Sequence, residues 1–276
     1  MLSRLMRATF GLFPGRCILC QARTARALDL CLHCETDLPV IPFPCRRCGQ
    51  QTPQRAAAGL PNDTQVCGQC LIKPPPYARS FSAFAYTQPI NQLIAEFKNR
   101  RQLVVGRVLA MVLARRYFDQ FHEPSPITPS NLEPRETSLS APLAAFIKAV
   151  PDNRPLPNLL IPIPLHPKRM QYRGFNQAHE IADAISGLTG IAMDNQLCQR
   201  ITESPPQKGL SAAARQRNIK QAFQLTRKLH GERLALVDDV LTTGATVSEL
   251  TRLALNAGAD SVEIITLART PQPRYF

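Results

Sequence analysis

A chain of 276 residues has room for one large domain or two of ordinary size, and a 44% hydrophobic content is enough for a packed core. Its 33 Lys and Arg outweigh 20 Asp and Glu, a net charge of +13 that favours polyanions without choosing among phosphorylated metabolites, nucleic acid and acidic membrane faces. No run of 18 uncharged apolar residues occurs, which excludes a membrane-spanning helix on hydropathy.

The first segment, MLSRLMRATFGLFPGRC, is basic, but Arg7, Pro14 and Arg16 interrupt its apolar stretch and no small-residue cleavage site follows. Arg16 also stands before Cys17 where lipid attachment would need a small residue. A cytoplasmic protein with reduced thiols is therefore expected.

Residues 1–76 hold eight of the nine cysteines and end in Lys73-Pro74-Pro75-Pro76, a stiff segment suited to a domain boundary. The cysteines fall in four Cys-x2-Cys pairs: Cys17 and Cys20, Cys31 and Cys34, Cys45 and Cys48, Cys67 and Cys70. Ten residues separate the first two pairs and 18 the last two. A two-residue spacer lets both sulfurs converge while backbone N–H groups of the turn point at them, and two such knuckles complete a tetrahedral Zn²⁺ site. Gly49, directly after Cys48, suits the positive φ such a knuckle needs. Disulfides conflict with a reducing compartment, and iron–sulfur spacings fit less well. Two structural Zn²⁺ ions are expected to act as staples for a module too poor in apolar residues to fold unaided, with sequential pairing, 17/20/31/34 and 45/48/67/70, favoured over an interleaved pairing that the sequence leaves open. His33 reads as a surface residue, and Cys198, which has no partner, as packed in or near a strand.

Beyond the boundary, residues 81–86 alternate like a strand, and a helix is expected over 89–99, where Ile90, Leu93, Ile94 and Phe97 share one face. A second helix covers 102–118. The tract 119–157 is read as an insertion, since residues 124–157 hold eight prolines, with a short candidate helix at 143–150. From residue 159 the pattern becomes strand–loop–helix. LLIPIP is a strand. RGFNQAHEIADAISGLTG is a helix with Ala178, Ile181, Ala182 and Ile185 on one face. A strand follows at about 191–199, then a basic loop and a short helix with Ser211 as N-cap, then strand RLALV, helix ATVSELTRLALNAGA and strand SVEIITLAR. Apolar strands that do not alternate, interleaved with amphipathic helices, argue for an α/β fold with a parallel sheet covered on both faces.

The segment 234–246 carries the chemistry. A buried strand ends in Asp238 and Asp239, and the small-residue run Thr242, Thr243, Gly244, Ala245, Thr246 opens a helix. Ligands of open α/β sheets bind at such carboxyl ends. Amides, hydroxyls and the helix N-terminus of the run can wrap a phosphate, while the acids are suited to hydroxyls or a metal. The Gly-Lys-Ser/Thr ending of a Walker loop is absent.

This segment resembles the phosphoribosyl-pyrophosphate (PRPP) motif of type I phosphoribosyltransferases almost residue for residue. Two further stretches extend the resemblance: Pro164 to Gln177, reading PLHPKRMQYRGFNQ, and the spaced set Arg200, Ser204, Gln207, Leu210, Arg215, Asn218, Ala222 and Phe223. With the cysteine pairs ahead of them, the chain resembles the ComF/GntX family of competence and DNA-utilisation proteins nearly end to end, apart from the proline-rich tract. Ser204 stands where that family more often shows Thr.

The resemblance implies a small Cys-rich zinc-ribbon module at 1–76 and a phosphoribosyltransferase-like domain at 77–276. It implies that Val237, Asp238, Asp239, Val240, Leu241, Thr242, Thr243, Gly244, Ala245 and Thr246 bind PRPP, with the two acids on the ribose hydroxyls and the loop on the 5-phosphate. Mg²⁺ would accompany the pyrophosphate. Arg169 and Arg173 would meet the leaving diphosphate and form, with the two aspartates, the expected catalytic set. Arg200, Gln207, Lys208 and Arg215 are flap candidates. Only nine residues follow Leu267, too few for a base-reading segment, so an acceptor pocket would have to come from 77–118 or the zinc module. That gap keeps a second reading open, a catalytically silent, PRPP-responsive module of the DNA-uptake machinery that binds single-stranded DNA. Its candidate surface is the basic-aromatic stretch with Lys98, Arg100, Arg101, Arg107, Arg115, Arg116, Tyr117 and Phe118, which also reads as a core helix with a solvated basic face.

Overall fold

The computed structural model describes residues 15–24, 26–53, 65–100, 102–119, 156–202 and 222–272. Two short strands, β1 (Gly15–Arg16) and β2 (Arg23–Thr24), pair antiparallel and precede helix α1 (Leu32–Thr36); helix α2 (Gly68–Ile72) closes the Cys-rich region. There follow β3 (Arg79–Ala85), α3 (Ile90–Arg100) and α4 (Leu103–Asp119). Beyond the proline-rich tract come β4 (Leu159–Pro162), α5 (Pro167–Arg173), α6 (Gln177–Thr189), β5 (Ala192–Met193), β6 (Cys198–Arg200), β7 (Phe223–Leu225), β8 (Arg233–Leu241), α7 (Ala245–Asn256) and β9 (Ser261–Arg269).

Five strands form one parallel sheet in the order β3-β9-β8-β4-β5. Its central strands read apolar on successive residues because both faces are covered. Leu160, Ala235, Val237, Ile265 and Leu267 pack with α3, α4 and α6 on one side. Leu159, Ile161, Leu234, Leu236, Val262 and Ile264 pack with α7 on the other, through Val247, Leu250 and Ala254. Parallel strands bring their carboxyl ends to one edge, so the segments after β4 and β8 meet there.

The Cys-rich region is packed against this sheet domain. Cys17, Leu28, Leu30 and Leu38 belong to the same apolar cluster as Phe84, Leu109 and Leu113. The buried Glu35 receives Arg26 at 2.6 Å and also Arg115 from α4.

Three expectations need correction. The strand expected at 191–199 is two short pieces, because the Asp194 carboxylate caps a turn through the N–H groups of Gln196 and Leu197; β5 joins the large sheet, whereas β6 pairs with β7. The arginine segment is a short helix rather than a loop, initiated by the His166 ring, with Pro167 at its start and Gly174 ending it in a left-handed conformation. Finally, β8 runs through both acids to Leu241, held by pairing of Asp238 with Thr266 and Leu241 with Arg269, so the acids lie within the strand. The candidate helix at 143–150 and the one capped by Ser211 lie outside the described residues, as do residues 120–155 of the proline-rich tract.

Candidate functional site

The carboxyl end of β8 supplies two acids on opposite sides of one strand, since successive side chains of a strand alternate. Asp239 is 8% exposed and receives Lys98 Nζ of α3 at 2.7 Å. Asp238 is partly reached by solvent, and its carboxylate accepts the N–H of Asp239 at 2.8 Å. Its surroundings still disfavour charge: burial first, then the neighbouring Asp239, push its carboxyl up to about 7, against the opposing pull of Lys98 and Arg200.

Beyond Leu241, Thr242 and Thr243 are exposed and Gly244 has φ +78, a left-handed conformation costly for a residue with a Cβ. Gly244 is also the N-cap of α7 and brings no side chain of its own, and the Thr243 hydroxyl accepts the Ala245 N–H at 3.4 Å. The amides that follow and the positive dipole of the helix end face an anion site, with the Thr242, Thr243 and Thr246 hydroxyls nearby in sequence. The side chains of Val237 and Leu241 point into the two cores, and Val240 packs partly into one of them. These three position the segment by packing.

The α5 arginines stand at the same edge. Arg169 is exposed and close enough to Arg200 to lower its pKa, the second cause after burial, while Asp238 opposes that shift. One electrostatic neighbourhood therefore holds Asp238, Asp239, Lys98, Arg169 and Arg200. Arg173 is half-buried and donates to Gln177 Oε1 at 3.0 Å. Arg200 ends β6 with its guanidinium 5.3 Å from the centre of the Phe223 ring on β7, so the flap candidate rises from a two-stranded stem. Gln207, Lys208 and Arg215 lie outside the described residues.

Two contributors do not read as site residues from sequence. Lys98 falls in the basic-aromatic stretch, yet it sits four residues past Ile94 on the buried stripe of α3, and a cation there is the signal of a buried acid. Arg269 continues an apolar strand with a guanidinium on a residue that is only 5% exposed; it donates to the carbonyls of Leu241 (2.7 Å) and Thr242 beneath the loop. A charge closing a buried run demands such acceptors.

The basic-aromatic stretch is a core element. Tyr117 and Phe118 are buried and packed edge-to-face, Arg115 pairs with Glu35, and Arg116 lies over Phe84 and donates to Ala83 O at 3.1 Å. No base can stack on those rings. Arg107 is exposed; Arg101 and the Arg100 side chain lie outside the described residues.

The cysteines converge as two sets of four, Cys17, Cys20, Cys31, Cys34 and Cys45, Cys48, Cys67, Cys70, each with all sulfurs within 4.8 Å of one another. Cys20 and Cys31 sulfurs are 3.7 Å apart, as are those of Cys48 and Cys67. A tetrahedron with Zn–S about 2.3 Å has an edge of about 3.8 Å, so the donor sets fit the metal. In the second set the Cys48 thiol and the N–H groups of Cys67, Cys48 and Arg47 lower Cys45 to about 4, whereas Cys45 and burial raise Cys48, and burial raises Cys70. His33 is exposed and Cys198 is buried in β6.

The chain is similar to known proteins over most of its length. Residues 9–71 match the double zinc ribbon domain and residues 173–276 the phosphoribosyl transferase domain. The DNA utilization protein YhgH of Salmonella typhi is 32% identical over 258 residues, covering 93% of this chain and 98% of that protein. The chain belongs to the ComF-type family of competence and DNA-utilisation proteins. Competence protein F of Haemophilus influenzae is 30% identical over the same shares of both chains, and competence protein ComFC of Bacillus subtilis is 31% identical over 46% of this chain and 50% of its own. A hypoxanthine phosphoribosyl transferase of Trypanosoma cruzi aligns in structure over 60% of this chain and 74% of its own, with TM-score 0.32 and 13% identity. For this ComF-type chain the two four-cysteine sets are the structural zinc sites of the double ribbon. Among the described residues, no helix is long and apolar enough to cross a membrane.

Proposed function

We propose that this ComF-type protein binds PRPP at the carboxyl edge of its sheet and acts as a phosphoribosyltransferase in the cytoplasmic handling of imported DNA. The observation that carries the reading is the paired acid at Asp238 and Asp239 followed, through Thr242 to Thr246, by a helix N-terminus whose cap position is Gly244. In this reading the loop amides and threonine hydroxyls hold the 5-phosphate, and the aspartates hold the ribose hydroxyls. Lys98 leaves Asp239 or shares it with the sugar.

Transfer passes through an oxocarbenium-like ribose as diphosphate departs, so positioning and neutralisation of the leaving group carry most of the rate. Arg169, Arg173 and Arg200 are the cations available on that side. Mg²⁺, carried in with the pyrophosphate, would supply further neutralising charge. Arg200 borders the ligand in this reading; Gln207, Lys208 and Arg215, which lie outside the described residues, are its companion flap candidates. We take residues 1–76 as the ribbon module and 77–276 as the transferase-like domain. A cytoplasmic location fits reduced thiols serving as metal ligands.

Titration of the zinc-loaded protein with PRPP and Mg²⁺ in a calorimeter tests the binding, with Asp239→Asn expected to abolish it. Release of pyrophosphate in the presence of individual nucleobases tests turnover. An absence of binding heat in the intact protein would sink the reading.

One observation favours a second reading, a PRPP-responsive single-stranded DNA module without turnover. Tyr172 on α5 is 87% exposed and flanked by Lys168, Arg169 and Arg173 beside the proposed site, a stacking ring among cations. Such binding would weaken with salt at a slope of about −0.7 per phosphate neutralised and would fall in Tyr172→Ala. Partners in DNA uptake would then dock around α5.

A further inference from the structure

The second cysteine set lies against the far side of the phosphate loop, and one buried side chain spans the two. Arg269, the last residue of β9, donates from Nε to the carbonyl of Cys48 at 2.8 Å. From Nη1 it donates to the carbonyls of Leu241 (2.7 Å) and Thr242. The knuckle holds the strand end by other bonds as well: Gln50 Nε2 donates to Thr270 O at 2.9 Å and Gln272 N–H donates back to Gln50 Oε1 at 3.2 Å, while at the start of β3 the Ser80 N–H donates to Arg46 O at 3.2 Å. Gly49 fits between them, for a Cβ there would meet Ser80 Oγ at 3.2 Å and Arg269 Cδ at 3.7 Å, at a φ of +69.

We propose that the Cys45/Cys48/Cys67/Cys70 zinc site sets the affinity of the phosphate loop, and that Arg269 is the positioning residue that transmits its state. In a planar trans peptide the carbonyl of one residue and the N–H of the next point in opposite directions. Tying the Thr242 carbonyl back to Arg269 therefore turns the Thr243 N–H outward, to the side where Thr242 and Thr243 are exposed. The Leu241 carbonyl, which also accepts the Thr270 N–H at 3.0 Å, does the same for the Thr242 N–H. Both amides are then aimed before a ligand arrives. The Cys48 carbonyl fixes Arg269 only while the metal holds the knuckle closed; without it the guanidinium loses an anchor and the amides lose their aim. The first cysteine set is placed differently, since it packs on α4 through Glu35 and Arg115. The inference deepens the PRPP reading and rests on it.

Linkage makes the coupling reciprocal: if zinc at the second site tightens PRPP, PRPP must tighten zinc by the same factor. Zinc would be removed from wild-type protein by equilibrium competition with a chromophoric chelator, with and without saturating PRPP and Mg²⁺. The expected result is that one of the two ions becomes about ten-fold harder to remove, within the usual range of such couplings, and the other is unchanged. Sequestration of zinc by PRPP itself would act on both ions alike. In Cys20→Ser, which keeps the second site, the effect should persist. In Cys67→Ser it should vanish, and PRPP should bind about ten-fold more weakly. Arg269→Gln should weaken PRPP to a similar degree while retaining both zinc ions, and Arg269→Lys should not restore it, because an ammonium lacks the planar fork that reaches three carbonyls at once.

The inference is overturned if PRPP binds wild type yet shifts neither zinc ion, or shifts both equally. That outcome needs no variant to fold, and it differs from a wild-type protein that takes up no PRPP, which would remove the underlying reading instead.

Discussion

Asp238 and Lys98 show how much of the site depends on where single charges sit. Burial and Asp239 hold the Asp238 carboxyl near 7, well above the 3.8 of a free aspartate. The folded state therefore keeps a proton that the unfolded chain gives up between pH 4 and pH 7. Stability from this group is complete below about pH 4 and is lost as pH rises through about 7, at up to about 1.4 kcal/mol per pH unit. Asp238→Asn, which cannot ionise, is expected to flatten that decline. Urea unfolding of both proteins at pH 5.5 and pH 8 should show the variant gaining on wild type at the higher pH.

Lys98→Met leaves the Asp239 carboxylate without its cation and is expected to cost about 2–3 kcal/mol near neutral pH. It should also move the pH midpoint of the Asp238 effect upward, because Lys98 helps hold that carboxyl down. The sequence displays both acids because the motif is contiguous. It hides their partner because Lys98 lies 141 positions upstream of Asp239 in the chain and meets it only across the packed sheet.

Among the elements, α3, α5 and α6 form the wall facing the acids, and a contact between aromatic rings holds them in place. Phe97 of α3 lies 5.5 Å, centre to centre, from Phe175 in the link between α5 and α6. Behind Phe97 sits Gly106 of α4, where an added Cβ would fall 2.3 Å from the Phe97 ring. Phe97 is fully buried and has no room to retreat. Gly106→Ala is expected to destabilise the protein by about 1–3 kcal/mol even though alanine is the better helix former by about 1 kcal/mol. Thermal unfolding would register this directly, and PRPP affinity should fall with it as the wall shifts.

The elements themselves are largely legible. The four-residue stripe of α3, the Ala178, Ile181, Ala182 and Ile185 face of α6 and the apolar runs of β8 and β9 are local patterns that mark these elements in the chain. The arginine segment reads as a loop because α5 buries no residue at all, which leaves no apolar periodicity to see. The split of 191–199 does leave a mark, the polar run Asp194-Asn195-Gln196 between two apolar pieces, where Asp194 caps the turn.

For the molecule as a whole, the ribbon region behaves as part of the fold. Cys17 lies in the main apolar cluster with Leu28 and Leu30. Loss of the first zinc through Cys17→Ser should thus lower the melting temperature of the entire chain. A shift of about 6–12 °C is expected for a loss of about 3 kcal/mol, seen as one calorimetric transition. Persistence of the wild-type transition, with only local loss around residues 15–38, would contradict it.

Short-range spacing alone carries the four Cys-x2-Cys pairs, the parallel α/β architecture and the acid-loop-helix segment, which all depend on residues within a few turns of one another. The grouping of the cysteines into 17/20/31/34 and 45/48/67/70 came from the folded chain. The tertiary structure alone decided which distant groups share a site: Lys98 with Asp239, Arg169 and Arg200 with Asp238, and Arg269 between the Cys48 knuckle and the Thr242 carbonyl. It also took Tyr117 and Phe118 out of reach of nucleic acid by burying them. The physical reason is the same in each case. A buried charge or ring must find its partner wherever the packing of sheet and helices brings one, and that partner leaves no periodic trace in the chain.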